Sequence, residues 1–331
     1  MLEKPDLSEQ RIIAHLQAEY KLQVTRVIFL PLGADINTAV YRVDAQAGAV
    51  YFLKLRKGPF DVITVALPHF LKAQGICAII PPLETSAGQS WATLDVYKTI
   101  LYPFIDGVNG YEAALTERQW LDFGVALKSI HTVQAPPDLA RLIPRETYPP
   151  DWRNLVRFFQ AQVETTKFED PVAARLAAFM RARRADIDHL VQRAEELGLA
   201  LQSHQVEFVL CHADIHAGNL LLGRDESLYI VDWDNPIYAP KEHDLMHIGG
   251  SATWKDARAQ ESFYQGYGPT HIDRMALAYY RYERIVQDIA EFCKQLLLTS
   301  EGGEDREQSY GYFTGQFLPG HEVEIAYKTD E

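Results

Sequence analysis

Cysteine is scarce in this chain: 331 residues carry three, Cys77, Cys211 and Cys293, far apart. An odd, scattered set gives neither a disulfide framework nor zinc-ligand spacing, so the thiols read as free and the setting as reducing and cytoplasmic. Long apolar runs are also missing. None reaches the ~20 residues that span a bilayer. The opening Met1-Leu2-Glu3-Lys4-Pro5-Asp6 is charged and lacks the apolar segment of a signal peptide. No membrane partner is expected. Positive charge is in deficit too: 32 Lys and Arg stand against 45 Asp and Glu, for a formal net charge of −13. Neutralising a phosphate backbone needs a basic face, so nucleic acid is excluded as a partner. A small cationic molecule suits this balance. Repeats and low-complexity stretches are absent. With 47% apolar residues the composition is that of a globular protein, and the length suggests about two domains.

What the sequence does have is concentrated in Cys211-His212-Ala213-Asp214-Ile215-His216-Ala217-Gly218-Asn219. Apolar runs, Glu207–Leu210 and Leu220–Leu222, enter and leave it, so it reads as strand, tight polar loop, strand. Asp232 follows in Leu228-Tyr229-Ile230-Val231-Asp232-Trp233-Asp234, again at a strand end. An Asp, an Asn five residues on and an Asp after a short hairpin are the parts phosphoryl transfer requires. Asp214 would accept the proton of a substrate hydroxyl, while Asn219 and Asp232 would hold Mg²⁺ against nucleotide phosphates. A His-x-Asp-x-His set can instead gather a metal, because alternate residues of an extended strand point one way, but no further His or Cys stands at ligand spacing. His212 reads as a buried histidine bracing the loop.

His212-x-Asp214-x-x-x-x-Asn219 with the later Asp232 resembles the catalytic loop and metal-binding Asp of the aminoglycoside phosphotransferase family, which has the protein-kinase-like fold. Further stretches resemble the spectinomycin 9-O-phosphotransferase branch of that family almost end to end. They are Gly33-Ala34-Asp35, Phe52-Leu53-Lys54-Leu55, Tyr102-Pro103-Phe104-Ile105 with Asn109-Gly110, Pro240–Met246, and Tyr279–Val286. The resemblance implies an α+β fold of two lobes: a small antiparallel-sheet N-lobe over residues 1–105 and a larger, mainly helical C-lobe over 106–331, with ATP, or GTP, between them. It also implies a monomer or weak homodimer.

Taken in order, Ser8 to Tyr20 has helical apolar spacing with Ser8 as N-cap. Val24–Leu30, Thr38–Val43 and Val50–Leu55 read as strands. The loop Pro31–Asn37 sits where a kinase-like lobe covers the triphosphate, which makes Gly33, Asp35 and Asn37 cofactor-binding candidates, although one glycine alone marks an ordinary hairpin. Period-two geometry puts Val50, Phe52 and Lys54 on one face and Tyr51, Leu53 and Leu55 on the other. A lysine among apolar neighbours must find an anion or reach solvent; phosphate is the functional partner. The family places a Glu early in the next helix to hold this lysine. Here that position aligns with Val62, so Asp61 either takes the role or leaves Lys54 to phosphate alone, and Pro68 should kink or shorten the helix. Trp91–Leu94 and Val96–Leu101 read as two more strands. Tyr102, Phe104 and Ile105 would form the hinge whose backbone meets the purine.

Beyond the hinge the chain turns helical. Thr116 should cap a helix with Leu121, Val125 and Ile130 on one side, and Pro171–Leu201 reads as one amphipathic stretch. Asp244 either braces the catalytic loop, as the resemblance implies, or caps a helix. Ile272–Leu298 reads as one long helix with Tyr280, Arg284, Asp288 and Glu291 on one face. By resemblance, Asp234, Glu283, Asp288 and Glu291 are candidate ligands for a cationic acceptor. The expected activity is transfer of the ATP γ-phosphoryl, with Mg²⁺, to a hydroxyl of spectinomycin or a related aminoglycoside or aminocyclitol. Two alternatives stand beside it: a kinase of a natural metabolite such as choline, homoserine or methylthioribose, and a nucleotide-binding protein with little transferase activity.

Overall fold

The computed structural model describes residues 4–32, 37–299 and 303–331. The expectations for Gly33 and Asp35 lie outside them. In chain order the elements are α1 (Glu9–Tyr20), β1 (Val24–Leu30), β2 (Thr38–Ala45), β3 (Val50–Lys57), α2 (Ile63–Ala73), β4 (Ala92–Leu94), β5 (Tyr97–Pro103), β6 (Gly107–Asn109), α3 (Glu117–Thr132) and α4 (Pro137–Ala140). There follow α5 (Asp151–Thr165), α6 (Pro171–Ala182), α7 (Arg184–Ser203), β7 (Phe208–Cys211), β8 (Leu220–Gly223), β9 (Leu228–Ile230), β10 (Ile237–Pro240), α8 (Glu242–Leu245), α9 (Ala257–Tyr267), α10 (Arg274–Leu297), α11 (Gly303–Gly315) and α12 (Glu322–Asp330).

The chain packs as two compact units. One holds Met1–Pro144 and Asp214–Pro236; the other holds Arg145–Ala213 and Ile237–Glu331. The sequence reading divides the chain near residue 105. By packing, the sheet-bearing unit runs on to Pro144 and takes in the segment with Asp214, Asn219 and Asp232.

In the first unit an antiparallel sheet has the strand order β1-β2-β3-β5-β4. The alternation read from β3 holds. Leu53 and Leu55 are fully buried with Tyr41, Val43 and Leu101, and Ile12 and Leu16 of α1 join the same core. Burying one such side chain contributes about 1.5–3 kcal/mol. Lys54, one residue out of phase, turns to the opposite face, between Val40 and Ile100 on the flanking strands. Ser8 caps α1, its hydroxyl accepting the Arg11 N–H. Helix α2 continues through Pro68 rather than ending there; the proline only removes the N–H that would have met the carbonyl of Thr64. Thr116 caps α3 in a capping box with Gln119, but the buried side is Trp120, Phe123, Leu127 and Ile130, whereas Val125 is exposed. A second sheet, β6-β8-β9, carries the hairpin after the catalytic loop.

The second unit is built on α10, whose apolar side buries Tyr279, Tyr282, Val286, Ile289 and Cys293 against α5, α7 and α12. The amphipathic stretch Pro171–Leu201 forms two helices, α6 and α7, separated at Arg183. Strands β7 and β10 pair antiparallel and deliver the chain to the catalytic loop. Among the described residues no helix is long and apolar enough to cross a membrane.

Candidate active site

Strand β7 ends at Cys211, and the next two residues are held by a buried carboxylate. Asp244 of α8 accepts the His212 N–H through Oδ2 at 2.9 Å and the Ala213 N–H through Oδ1 at 2.8 Å. The helix cap there is Lys241, so Asp244 braces the loop rather than capping a helix. The brace has work to do, because Ala213 sits at φ 72°. A left-handed alanine costs roughly 1–2 kcal/mol, and the two bonds to a buried carboxylate offset that cost and aim the next residue, Asp214. Asp244→Asn supplies one oxygen acceptor where two are needed. It should lower turnover at least tenfold, by leaving a buried N–H unpaired and the loop free to relax, with nucleotide affinity near wild type. Steady-state kinetics beside a nucleotide titration check this; unchanged turnover would show that the loop needs no brace.

Downstream of Asp214, a single 3-10 turn, Ala217–Asn219, is capped by His216, whose Nδ1 accepts the Gly218 N–H at 3.0 Å. That bond places the imidazole proton on Nε2, which lies 3.6 Å from Asp214 Oδ2. Tyr111 stacks on the same ring with 5.8 Å between centroids. A Cβ at Gly218 would come within 2.8 Å of the His216 ring and 3.0 Å of Tyr111, so glycine is needed there. Asn219 is fixed on three sides. Its N–H donates to His216 O, its carbonyl accepts from Val231, and its Nδ2 donates to Asp214 O at 2.8 Å. The amide nitrogen thus faces the loop, which leaves Oδ1 as the atom for a cation.

Asp232 follows β9 and also has a left-handed backbone, φ 65°. Asp tolerates this region better than most residues. The neighbouring Trp233 is buried and its Nε1 donates to Ile230 O at 3.2 Å, which anchors the turn. Lys54 Nζ lies 3.0 Å from Asp232 Oδ1 and 2.8 Å from Asp234 Oδ2. Burial pulls the Lys54 ammonium down, but the two carboxylates outweigh it and hold the pKa above its ordinary value. Arg56, two residues along the same strand face, donates to Asp234 Oδ2 at 2.6 Å. Asn219 Oδ1 and the Asp232 carboxylate offer oxygen donors alone, which suits a hard cation such as Mg²⁺.

Asp61 does not pair with Lys54. Its Oδ1 accepts the Ile63 N–H at 3.0 Å and its carbonyl accepts from the Thr64 hydroxyl, so it starts helix α2. One methylene shorter than Glu, it finds the orphan amides of its own helix before it can reach β3. The position aligned with the family's Glu, Val62, is exposed. Asp234, expected among acceptor ligands, accepts hydrogen bonds from two cations of its own unit, Lys54 and Arg56. Arg56 was missing from the sequence reading, although its place two residues after Lys54 put it on the right face.

At the hinge, Tyr102 pairs with Phe52 across β3 and β5. The Phe104 N–H donates to Val50 O at 3.2 Å, and Arg42 covers the Phe104 ring at 4.8 Å. Asn37 accepts the Lys57 N–H through its carbonyl, which ties the end of the preceding loop to β3.

The acidic residues of α10 each already meet a cation of the second unit. Glu283 lies 3.0 Å from Arg153, Asp288 3.0 Å from Arg284 and Glu291 3.2 Å from Lys294. Arg153 is buried and also donates to the carbonyls of Tyr148, Pro149 and Ala194. Glu283 is therefore part of a buried structural network rather than an open acceptor ligand. Burial pushes its carboxyl up to about 7, against the pull of Arg153. A carboxyl raised on folding binds protons more tightly in the folded state. Its stabilising contribution is complete below its unfolded value, near 4.5, and is lost as pH rises through about 7. Glu283→Gln should remove that dependence. Wild type should lose thermal stability relative to the variant between about pH 4.5 and 7; parallel melting curves across that window would disprove it.

These features define a phosphotransferase with a kinase-like fold. Residues 29–278 match the sequence profile of the phosphotransferase enzyme family, and the chain belongs to it. It is similar to spectinomycin phosphotransferase APH(9)-Ia solved with ADP and spectinomycin, at 38% identity and TM-score 0.92, covering 98% of this chain and 99% of that one. The AMP-bound complex of the same enzyme matches at 36% identity and TM-score 0.87, over 98% and 100%. The amicoumacin kinase hAmiN shares the fold at 17% identity and TM-score 0.62, over 98% and 94%.

Proposed function

We propose that this chain is an ATP-dependent O-phosphotransferase that passes the γ-phosphoryl group of ATP to a hydroxyl of spectinomycin or a closely related aminocyclitol. The observation that carries the reading is 38% identity, end to end, with an enzyme solved with ADP and spectinomycin. The assembled Asp214, Asn219 and Asp232 support it, and so does an acidic chain suited to a cationic acceptor. In this reading residues 1–105 supply the nucleotide contacts, with the Ile105 amide toward the purine and Lys54 toward the phosphates. Residues 106–331 supply the catalytic loop, the metal ligands and the acceptor contacts. Asp214 orients the acceptor hydroxyl and takes its proton as the acceptor oxygen bonds to the γ-phosphorus and the bond from that phosphorus to the bridging oxygen breaks, releasing ADP. Asn219 Oδ1 and the Asp232 carboxylate would hold Mg²⁺, which would supply charge neutralisation at the nucleotide phosphates. Most of the rate enhancement would come from positioning and charge, since phosphoryl transfer leaves little covalent chemistry to the protein.

The test is mass spectrometry of products after incubation with ATP and Mg²⁺, over spectinomycin, other aminocyclitols, choline, homoserine and methylthioribose. The expected result is a single phosphoryl group added to spectinomycin, with the metabolites unchanged. Phosphorylation of a metabolite with spectinomycin untouched would overturn the acceptor; ATP binding with no acceptor phosphorylated would leave only a nucleotide-binding protein.

A further inference from the structure

We propose that Asp234, clamped by Arg56, is the positioning residue that holds Lys54 over the nucleotide phosphates in this chain, in the role an acid of helix α2 fills in other kinase-like sites. The inference rests on the nucleotide half of the proposed function and not on the acceptor.

Kinase-like sites work with a strand lysine paired to a helix glutamate, because an unpaired lysine swings and loses its aim on the phosphates. Helix α2 has no such acid: its first turn carries none, Asp61 is spent on the Ile63 amide, and Val62 points to solvent. The carboxylates that Lys54 touches are Asp232, at 3.0 Å, and Asp234, at 2.8 Å. The two differ in what else they can do. Asp232 is 47% exposed and is the oxygen ligand a cation would take. Asp234 is 20% exposed, and the same Oδ2 that accepts from Lys54 accepts from Arg56 at 2.6 Å. Arg56 and Lys54 share one face of β3, so the sheet fixes both donors, and the buried Trp233 fixes the backbone of their acceptor. A carboxylate held from both sides stays in place when Asp232 turns to a cation. Lys54 then keeps one anchor and directs its remaining hydrogens at phosphate oxygens. Arg56 keeps the local charge balanced, two cations against two carboxylates, so that Asp234 does not repel the phosphates.

Without Asp234, Lys54 would have Asp232 alone, and the lysine would compete with Mg²⁺ for that carboxylate. This gives a signature that simple loss of packing would not: a change in Mg²⁺ demand. The experiment is equilibrium binding of a fluorescent ADP analogue to the full-length protein, titrated with Mg²⁺, with thermal melts to confirm folding. D234N should raise the nucleotide Kd about tenfold and move the Mg²⁺ midpoint upward. R56M should do the same to a lesser degree, and R56K should recover most of the R56M loss because it keeps the donor charge. The D234N/R56M double variant should be little worse than D234N, since the two residues act as one unit. D61A should melt earlier, from its lost bond to the Ile63 N–H, without the Mg²⁺ shift. Unchanged Kd and Mg²⁺ midpoint in both D234N and R56M would overturn the proposal. So would additive losses in the double variant, or a D61A effect equal to that of D234N. A wild-type chain that binds the nucleotide but phosphorylates no spectinomycin fails the acceptor reading only; one that binds no nucleotide with Mg²⁺ fails both.

Discussion

Asp214→Asn should cut turnover by about 10²–10⁴-fold, the usual contribution of a positioned general base, and leave nucleotide binding close to wild type. The substitution is nearly isosteric. The backbone carbonyl of residue 214, which accepts the Asn219 side-chain N–H at 2.8 Å, is unaffected, so the metal ligand stays in place. What changes is the atom that meets the acceptor hydroxyl in the proposed reaction. A carboxylate can take the hydroxyl proton as phosphorus is attacked; a carboxamide can orient the hydroxyl but cannot accept that proton. Single-turnover phosphorylation and a parallel nucleotide titration separate the two effects. Turnover within a few-fold of wild type would remove Asp214 from the chemistry, and a matching loss of nucleotide affinity would make it a structural residue.

Much of this site could be read from the chain because its parts lie close in sequence. Asp214, Asn219 and Asp232 fall within one loop and one hairpin, so spacing alone brings them together. The facing of Lys54 follows from strand alternation, since Leu53 and Leu55 must enter the core and Lys54 cannot. The cap of α1 at Ser8 and the strands β1 to β5 were legible for the same local reason. Long-range ion pairs were not. Arg56 and Asp234 are 178 residues apart, as are Lys54 and Asp232, and Arg153 and Glu283 are 130 apart. Nothing in a pattern of charges says which acid meets which base, so the sequence leaves Asp61 and phosphate alone as alternatives for Lys54, and offers Glu283 as a candidate ligand where a buried arginine holds it. The break at Arg183 escaped notice because neither glycine nor proline marks it. In the opposite sense Pro68 suggested a kink or an early end, and α2 runs past it to Ala73 with Val65, Leu67 and Leu71 buried.

Replacing Asp232 should abolish Mg²⁺-dependent nucleotide binding, and the choice of replacement matters. Residue 232 has φ 65°, where alanine would be strained and asparagine is tolerated, so Asp232→Asn isolates the charge whereas Asp232→Ala adds backbone cost. The Asn variant keeps one oxygen but loses the negative charge that makes a carboxylate a strong Mg²⁺ ligand. The remaining ligand from the hairpin, Asn219 Oδ1, is neutral and would not hold the ion alone. Lys54 would meanwhile lose one of its two carboxylates and rest on Asp234 at 2.8 Å. Its pKa, held up by both acids, should fall, since burial then opposes the charge with one partner fewer. Two consequences separate this variant from Asp234→Asn. In Asp234→Asn excess Mg²⁺ should recover binding, because the metal ligand is intact and only a competitor must be displaced. In Asp232→Asn no Mg²⁺ concentration should do so, because the ligand itself is gone. Calorimetric titration with ADP at rising Mg²⁺ distinguishes them: a residual affinity insensitive to Mg²⁺ is the expected result for Asp232→Asn. A full, Mg²⁺-dependent recovery would mean that the ion is held elsewhere and that Asp232 serves only to anchor Lys54.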